Sequence, residues 1–347
     1  MLNAVRNYLS HLATRRPETW RPLLAVYYLT YACEFRCPFC SDGSGTPYHR
    51  LPSPILDGPE VLALLARIRR ASDHLVLTGG EPLSHPDVDH VLEHLPALRF
   101  DGVVFTTRGP GLSPHLPAVA RSIRKLVISI DTLDERKADR WLGRGTGSLR
   151  RVLEEADAAA RYPGRSYEIV VSSVATPDNL TDLLGVYDYA RSRGFGFALC
   201  PQLRGVKAHE ELHGNADYRR LYDLLIAEKR RGAPIFGTVQ YLEYMRDLRK
   251  FDCRPSAVLA VSPTGDVFYP CLELGHVAGN LRQEPDLDRI RRMGQDKFGP
   301  EPSCDTRCHS ACALSLSLAL NHPHTLLHEL ALRTKAAVAG FGGGPRS

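Results

Sequence analysis

An α/β fold is what the sequence predicts: a partial, open (β/α)6 barrel followed by a small domain built from a β-hairpin and helices. Three observations predict it. From residue 23 to about 231, six short apolar runs alternate with six helical stretches. Near residue 232 that alternation stops and turns become dense. Nine cysteines complete the pattern: Cys33, Cys37 and Cys40 follow the first apolar run, Cys253, Cys271, Cys304, Cys308 and Cys312 lie beyond the alternating part, and Cys200 stands alone.

Residues 1–22 form the first element. Leu2, Val5, Leu9 and Leu12 share one helical stripe, beside Arg6, Arg15 and Arg16, with no acid before Glu18. A docking helix and a transit peptide both fit, and the stripe favours docking. The strand-length runs are Leu24–Leu29, His74–Leu77, Gly102–Phe105, Leu126–Ile130, Glu168–Val174 and Phe195–Leu199, several of them β-branched. Between and after them lie helical stretches over Pro59–Arg70, Pro86–Leu95, Ser113–Arg121, Leu149–Arg161, Leu180–Arg193 and Asp217–Arg231. The first has Asp57 placed to cap it, Pro59 near its first turn and Glu60 three residues after the cap. Strict strand–helix alternation argues a parallel sheet with helical crossovers. Six strands fall short of a closed eight-stranded barrel, so the domain at 23–231 is expected to stay open.

Residues 232–337 read as a second domain. Val258–Val261 and Asp266–Tyr269 flank Ser-Pro-Thr-Gly-Asp at 262–266 and predict a β-hairpin. After Cys312 an apolar helical stretch is expected to about Ala337. Residues 338–347, rich in glycine, are expected to be a disordered tail.

Composition narrows the function classes. The chain has 347 residues, 43% hydrophobic and 24% charged, the ordinary globular mixture. A net charge of +5 is spread along the chain, without the dense basic face of a nucleic-acid binder, so no nucleic-acid partner is expected. The longest apolar run, Ala311–Leu320, is too short for a membrane span. With no apolar signal core in the first 16 residues and an odd number of cysteines, a disulfide framework is not expected, and the chain reads as cytoplasmic. Clustered thiols in that setting read as metal ligands.

Cys33-Glu-Phe-Arg-Cys37-Pro-Phe-Cys40 lies in the loop after the first strand, on the functional face of a β/α barrel. Three thiolates within eight residues can wrap one centre and suit a [4Fe–4S] cube with one iron left open. A zinc site with a remote fourth ligand is the alternative, though CxxxCxxC is not a common zinc spacing.

These motifs, in this order, resemble the radical S-adenosylmethionine (radical SAM) superfamily. CxxxCxxC carries Phe39 just before its last cysteine. Gly79-Gly80-Glu81-Pro82 follows the second strand, where the family has its GGEP motif. Ser129 and Asp131 end the fourth strand in Ile-Ser-Ile-Asp, like the family's ribose-binding position. The resemblance implies that Phe39, Gly79, Gly80, Glu81, Pro82, Ser129 and Asp131 bind S-adenosylmethionine, with Cys33, Cys37 and Cys40 on the cluster. Glycines at 79 and 80 also let the backbone approach a ligand closely. One departure stands out: the family often has Thr-Asn-Gly after the third strand, and here the sequence is Thr106-Thr107-Arg108-Gly109. Arg108 fits either a partner for the SAM carboxylate or a surface arginine. The implied chemistry is reductive cleavage of SAM to methionine and a 5′-deoxyadenosyl radical, which removes a hydrogen from an unactivated carbon. Electrons would come from an external donor such as flavodoxin or ferredoxin.

Cys253 and Cys271 bracket the expected hairpin with Gly265 at its tip. This resembles the SPASM and twitch extensions of the family, which carry auxiliary iron–sulfur clusters, and Gly279-Asn280-Leu281 adds to the likeness. Gly265 and Cys271 enclose five residues, one more than usual. Five cysteines are too few for two auxiliary clusters, so one auxiliary [4Fe–4S] cluster is expected, with Cys253 and Cys271 joined by two of Cys304, Cys308 and Cys312. Cys308 and Cys312, four apart, are expected to share a helix face. Structural zinc is the alternative here as well.

Cys200 ends the sixth strand, where it is either a small core residue or a hydrogen-atom donor at the barrel mouth. Arg204 and Lys207 follow it in a loop that can receive an anionic group or be simply solvated. The first strand begins near residue 24, which leaves no room for the peptide-recognition domain that many peptide modifiers carry. A small-molecule substrate is therefore expected, a sugar or nucleoside of natural-product biosynthesis. The specific expectation is redox-neutral decarboxylation of a sugar-acid nucleoside such as cytosylglucuronate. The alternatives are a peptide maturase, and a dehydrogenase, dehydratase or epimerase of an aminosugar.

Overall fold

The computed structural model describes residues 2–14, 19–41, 45–301, 308–325 and 329. In chain order the elements begin with α1 (Leu2–Ala13), β1 (Leu24–Tyr28), α2 (Gly58–Ala71), β2 (His74–Thr78), α3 (Val88–His94), β3 (Gly102–Thr107), α4 (Leu116–Ser122) and β4 (Lys125–Ser129). They continue with α5 (Glu135–Leu142), α6 (Ser148–Arg161), β5 (Glu168–Ala175), α7 (Leu183–Ser192), β6 (Gly196–Pro201), β7 (Leu203–Arg204), β8 (Lys207–Ala208), α8 (Ala216–Arg230) and α9 (Val239–Asp247). The last are β9 (Val258–Val261), β10 (Asp266–Tyr269), β11 (His276–Asn280), α10 (Leu287–Phe298) and α11 (Ala311–Asn321).

Strands β1 to β6 pair side by side and parallel, in sequence order. Their β-branched and aromatic residues alternate, and Ala25, Tyr27, Leu75, Leu77, Phe105, Leu126, Ile128 and Val171 are wholly buried. The first crossover helix starts as its sequence predicts. The Asp57 carboxylate accepts from the Glu60 amide at 2.8 Å, and Glu60 accepts from the Asp57 amide at 3.2 Å, a capping box.

The hairpin β9–β10 is not detached from the barrel. β9 lies parallel to β1 on its free edge, and β10 and β11 follow antiparallel, giving one nine-stranded sheet. Trp20 locks this junction: its ring meets Tyr269 edge-on at 6.4 Å and its indole N–H donates to the Val258 carbonyl at 3.3 Å. Across the same junction the Tyr27 hydroxyl donates to the Pro263 carbonyl at 3.1 Å.

Three sequence expectations need correction. Helix α1 forms but docks by its opposite face. Leu2, Val5, Leu9 and Leu12 are exposed, whereas Asn7 and His11 are buried. Asn7 donates to the Pro22 and Ala71 carbonyls at 2.7 and 3.0 Å, and His11 Nε2 sits 2.8 Å from the Arg21 carbonyl, so polar groups satisfying open carbonyls decide the docking side. Second, α11 starts at Ala311 and ends at Asn321, where His322-Pro323 cannot continue it. Cys308 therefore precedes the helix and shares no helix face with Cys312. Third, α5, α9, α10 and β11 were not foreseen. Residues 330–347, including the tail, and Cys304 lie outside the described residues. Among the described residues no helix is long and apolar enough to cross a membrane.

Candidate active site

The ends of β1, β2, β3 and β4 bring the predicted cofactor residues to one rim. The loop after β1 is pinned first. The Ser53 hydroxyl accepts from the Tyr31 and Ala32 amides at 3.1 and 2.8 Å and lies 2.9 Å from the Thr30 hydroxyl. The loop after β2 then lies directly on this segment, with the Gly80 amide donating to Thr30 O and the Glu81 amide to Ala32 O, both at 2.8 Å. A Cβ on Gly79 would stand 2.3 Å from Thr30 O, and one on Gly80 would stand 2.5 Å from both Tyr31 O and Ala32 O. The glycines are therefore required by the protein's own backbone. They let two loops stack, a closer cause than the ligand approach expected from sequence.

Glu81 turns inward. Its carboxylate accepts from the Thr107 hydroxyl at 2.7 Å, the Arg108 amide at 2.8 Å and the Leu83 amide at 3.1 Å. Burial raises its pKa, and these donors oppose the rise. Pro82, also buried, opens a single 3-10 turn. This pair ties the loop after β2 to β3.

The three thiols of the first set lie in one loop, within electrostatic reach of one another. Burial pushes Cys33 up to about 11 and Cys40 up to about 12, and raises Cys37; Cys37 adds to the rise at Cys33, Cys37 and Cys33 to that at Cys40 and Asp131 to that at Cys37, with Arg108 opposing in each case. Phe35 is buried as the loop's anchor, and the Arg36 guanidinium donates to the Cys33 and Phe35 carbonyls at 2.9 and 3.0 Å. Phe39 meets Trp141 of α5 edge-on at 5.3 Å. Cys37, Phe39, Arg108, Ser129, Asp131 and Trp141 line a narrow recess that opens to solvent.

Arg108 is the residue that sequence reasoning left open, and it is no surface arginine. Its Nη2 donates to Cys37 Sγ at 3.1 Å, and its Nη1 donates to Asp131 Oδ2 at 2.6 Å and to the Ser129 carbonyl at 3.1 Å. Asp131 is thus engaged on both oxygens, because its Oδ1 accepts from the Val174 amide at 2.8 Å. Trp141 was missed altogether: its helix is a charged stretch without an apolar run. The caps Asp134 and Gly143 are the signals that mark it, one bonding the Lys137 amide and the other left-handed at φ +65°.

The second set is built differently. Cys253, Cys271 and Cys308 line one narrow recess together with Glu273 and Val206. Burial raises the Cys271 thiol strongly, with Glu273, Cys253 and Cys308 adding to it. Cys312, in the first turn of α11, is pushed up to about 11 by burial and Glu273. Cys200 is pushed up to about 12 by burial, then by Asp131 and Cys312, so it lies between the two sets. Its Sγ faces the Ser173 carbonyl at 3.8 Å. Arg204 and Lys207 are exposed on the β7–β8 hairpin and line neither recess. The tip of that hairpin, Val206, touches the second recess, where its carbonyl accepts from the His309 amide at 3.2 Å.

The fold and this rim define an open parallel β/α barrel whose mouth presents three thiols from one loop. Residues 27–189 match the family model "Radical SAM superfamily", so the chain contains a domain of that superfamily. A GTP 3′,8-cyclase of Brucella abortus is 32% identical over 190 residues, covering 50% of this chain and 52% of the relative. The chain thus matches about half the length of such curated relatives. Among solved structures, Streptococcus suis SuiB bound to S-adenosylmethionine aligns with a TM-score of 0.63 at 18% identity, covering 87% of this chain and 71% of SuiB. anSMEcpe with bound AdoMet aligns with a TM-score of 0.61 at 14% identity, covering 89% and 99%. At these identities the likeness is one of fold.

Proposed function

We propose that this chain is a radical SAM enzyme in which Cys33, Cys37 and Cys40 hold a [4Fe–4S] cluster and the adjoining recess takes S-adenosylmethionine. The observation that carries this reading is the placement of Cys37, one of three cysteines in a single loop, beside Arg108, Ser129 and Asp131 at the ends of parallel strands. Three thiols and one buried cation suit a cluster bound by three thiolates, since the cation offsets part of their charge. When bound, the two groups supply one-electron reductive cleavage of the sulfonium C5′–S bond and, from it, hydrogen abstraction at an unactivated carbon.

The chain's own residues hold and shield. The thiols give up their protons on binding, which the raised values make dependent on pH. Phe39 and Trp141 wall the recess with aromatic surface. The backbone of Gly79–Pro82, fixed on residues 30–32, offers polar groups to the methionine end of SAM, and Ser129 and Asp131 face its ribose. Cys200 stays a protonated thiol, the form that can give a hydrogen atom to a product radical. Cys253, Cys271 and Cys308, with Cys304 or Cys312, hold an auxiliary [4Fe–4S] cluster in a SPASM- or twitch-like region. An external one-electron donor of the flavodoxin or ferredoxin type completes the system.

For the substrate we favour a small sugar or nucleoside. Decarboxylation of a sugar acid would call for a cationic pair at the mouth, and the exposed placement of Arg204 and Lys207 gives no support for one. Glu273 instead lies within electrostatic reach of Tyr28, at the end of β1, and of Cys271 and Cys312. Glu273 also lines the recess of the second cysteine set, so it does not choose the substrate, and with no cationic pair in place the aminosugar alternative is the one to test beside the sugar acid. The deciding experiment is anaerobic incubation of the reconstituted protein with dithionite and SAM. 5′-Deoxyadenosine is expected from the wild type and none from Cys33→Ala/Cys37→Ala/Cys40→Ala. Cleavage retained in the triple variant would end the radical SAM reading. Among added substrates, an aminosugar should raise 5′-deoxyadenosine formation where a uronic acid does not, and the reverse would restore the sugar-acid reading.

A further inference from the structure

We propose that Arg108 sets the reduction potential of the cluster held by Cys33, Cys37 and Cys40, by donating a hydrogen bond to the Cys37 sulfur; the proposal rests on the radical SAM reading above. The donor is close, with Nη2 at 3.1 Å from Sγ. It is also fixed from several sides. Nη1 is held by Asp131 Oδ2 at 2.6 Å and by the Ser129 carbonyl at 3.1 Å, and the Arg108 amide is held by Glu81 Oε2 at 2.8 Å. Glu81 is in turn gripped by the Thr107 hydroxyl at 2.7 Å, and Asp131 by the Val174 amide at 2.8 Å. The Arg108 side chain is 13% exposed and that of Asp131 is 4%, so little solvent screens the charge.

Such a group acts in one direction. Reduction adds one negative charge to a cluster whose thiolates already carry several. A buried guanidinium and an N–H bond to a ligating sulfur stabilise the reduced form more than the oxidised one. The potential therefore rises, and a weaker reductant suffices. The chain places an arginine where the resembling sequences often carry the neutral asparagine of Thr-Asn-Gly. Asp131 gains a second task, because it aims the guanidinium at Cys37 whatever it also does for the ribose. The competing use of Arg108 is a bidentate grip on the SAM carboxylate, which the structure would have to supply by releasing Asp131 or Cys37.

The two uses separate in a redox titration followed by electron paramagnetic resonance, run without SAM on wild type, Arg108→Lys and Arg108→Gln. SAM dissociation constants, iron content and thermal unfolding are measured in parallel. The proposal expects a midpoint more negative in Arg108→Gln than in wild type, with Arg108→Lys between them, whatever the change in SAM affinity. Should Arg108→Gln fail to fold because Asp131 is left unpaired, the shift in Arg108→Lys carries the test. Equal midpoints overturn the proposal. Equal midpoints with SAM affinity lowered tenfold or more also overturn it, and assign Arg108 to the carboxylate. A wild type that assembles no cluster removes the radical SAM reading itself, and the proposal with it.

Discussion

The two cysteine sets are held by opposite kinds of scaffold. Cys33, Cys37 and Cys40 come from one loop, clamped from below by the backbone of Gly79–Glu81 and from the side by Arg108. Cys253, Cys271 and Cys308 are spread over three segments and meet because β9 extends the sheet beside β1 and α10 packs under β11. The first arrangement depends on main-chain contacts with no slack. The second depends on side chains that can adjust, such as Met293 and Ile290 against Gly279. A rigid loop suits a site that must present a ligand in one geometry. An assembled site tolerates more variation in its surroundings.

That contrast can be broken by adding one methyl group to each scaffold. Gly80→Ala would drive a Cβ to 2.5 Å from two backbone carbonyls, so the loops must separate. We expect a stability loss of about 2–3 kcal/mol in chemical denaturation and SAM affinity down by about tenfold or more. Gly279→Ala meets flexible side chains at 3.3 and 3.5 Å and should cost about 1 kcal/mol or less, with SAM affinity unchanged. Equal losses at the two positions would erase the distinction.

The clamp itself can be sharpened through Thr107. Thr107→Val removes the hydroxyl donor to buried Glu81 at nearly constant volume and should destabilise by about 1–3 kcal/mol, while Thr107→Ser should recover most of the loss. An unchanged unfolding midpoint in Thr107→Val would show that Glu81 does not need this donor.

Between the two sets, Cys200 gives a pH test. Its thiol is pushed up to about 12 from the ordinary 9.0, so at pH 8 it holds roughly a thousandfold less thiolate than an ordinary cysteine. Alkylation of Cys200 by iodoacetamide should be slow at pH 8 and climb about tenfold per pH unit toward pH 11. Fast alkylation at pH 8 would place the thiol in water and remove the donor role. The smallest effects belong to the β7–β8 hairpin. Arg204→Ala and Lys207→Ala should change stability by less than about 0.5 kcal/mol and leave SAM cleavage intact; weakened substrate binding in either would return the anion site.

What could be read in the sequence follows the same divide. The six barrel strands, the Asp57 cap and the stacked motifs after β1, β2 and β4 are local patterns, each legible in a few residues. Helix α5 lies in Asp134–Gly143, where charge hides the period and the caps alone mark the ends. Helix α1 shows that periodicity tells which side is apolar and not which side is buried: Asn7 and His11 won that face by bonding carbonyls of Pro22, Ala71 and Arg21. Arg108 could not be placed because its partners Cys37 and Asp131 lie 71 and 23 residues away along the chain. The recess shared by Cys253, Cys271 and Cys308 was not legible for the same reason, since it exists only after tertiary assembly.

The most direct test counts iron and 5′-deoxyadenosine together in three proteins: wild type, Cys33→Ala/Cys37→Ala/Cys40→Ala, and Cys253→Ala/Cys271→Ala. With two cubes of four irons the account predicts about eight irons in wild type and about four in each variant. It predicts 5′-deoxyadenosine from wild type and from the Cys253→Ala/Cys271→Ala protein, and none from the triple variant. About four irons in wild type with none left in the triple variant would contradict the second cluster. SAM cleavage that survives loss of Cys33, Cys37 and Cys40 would contradict the assignment of the first.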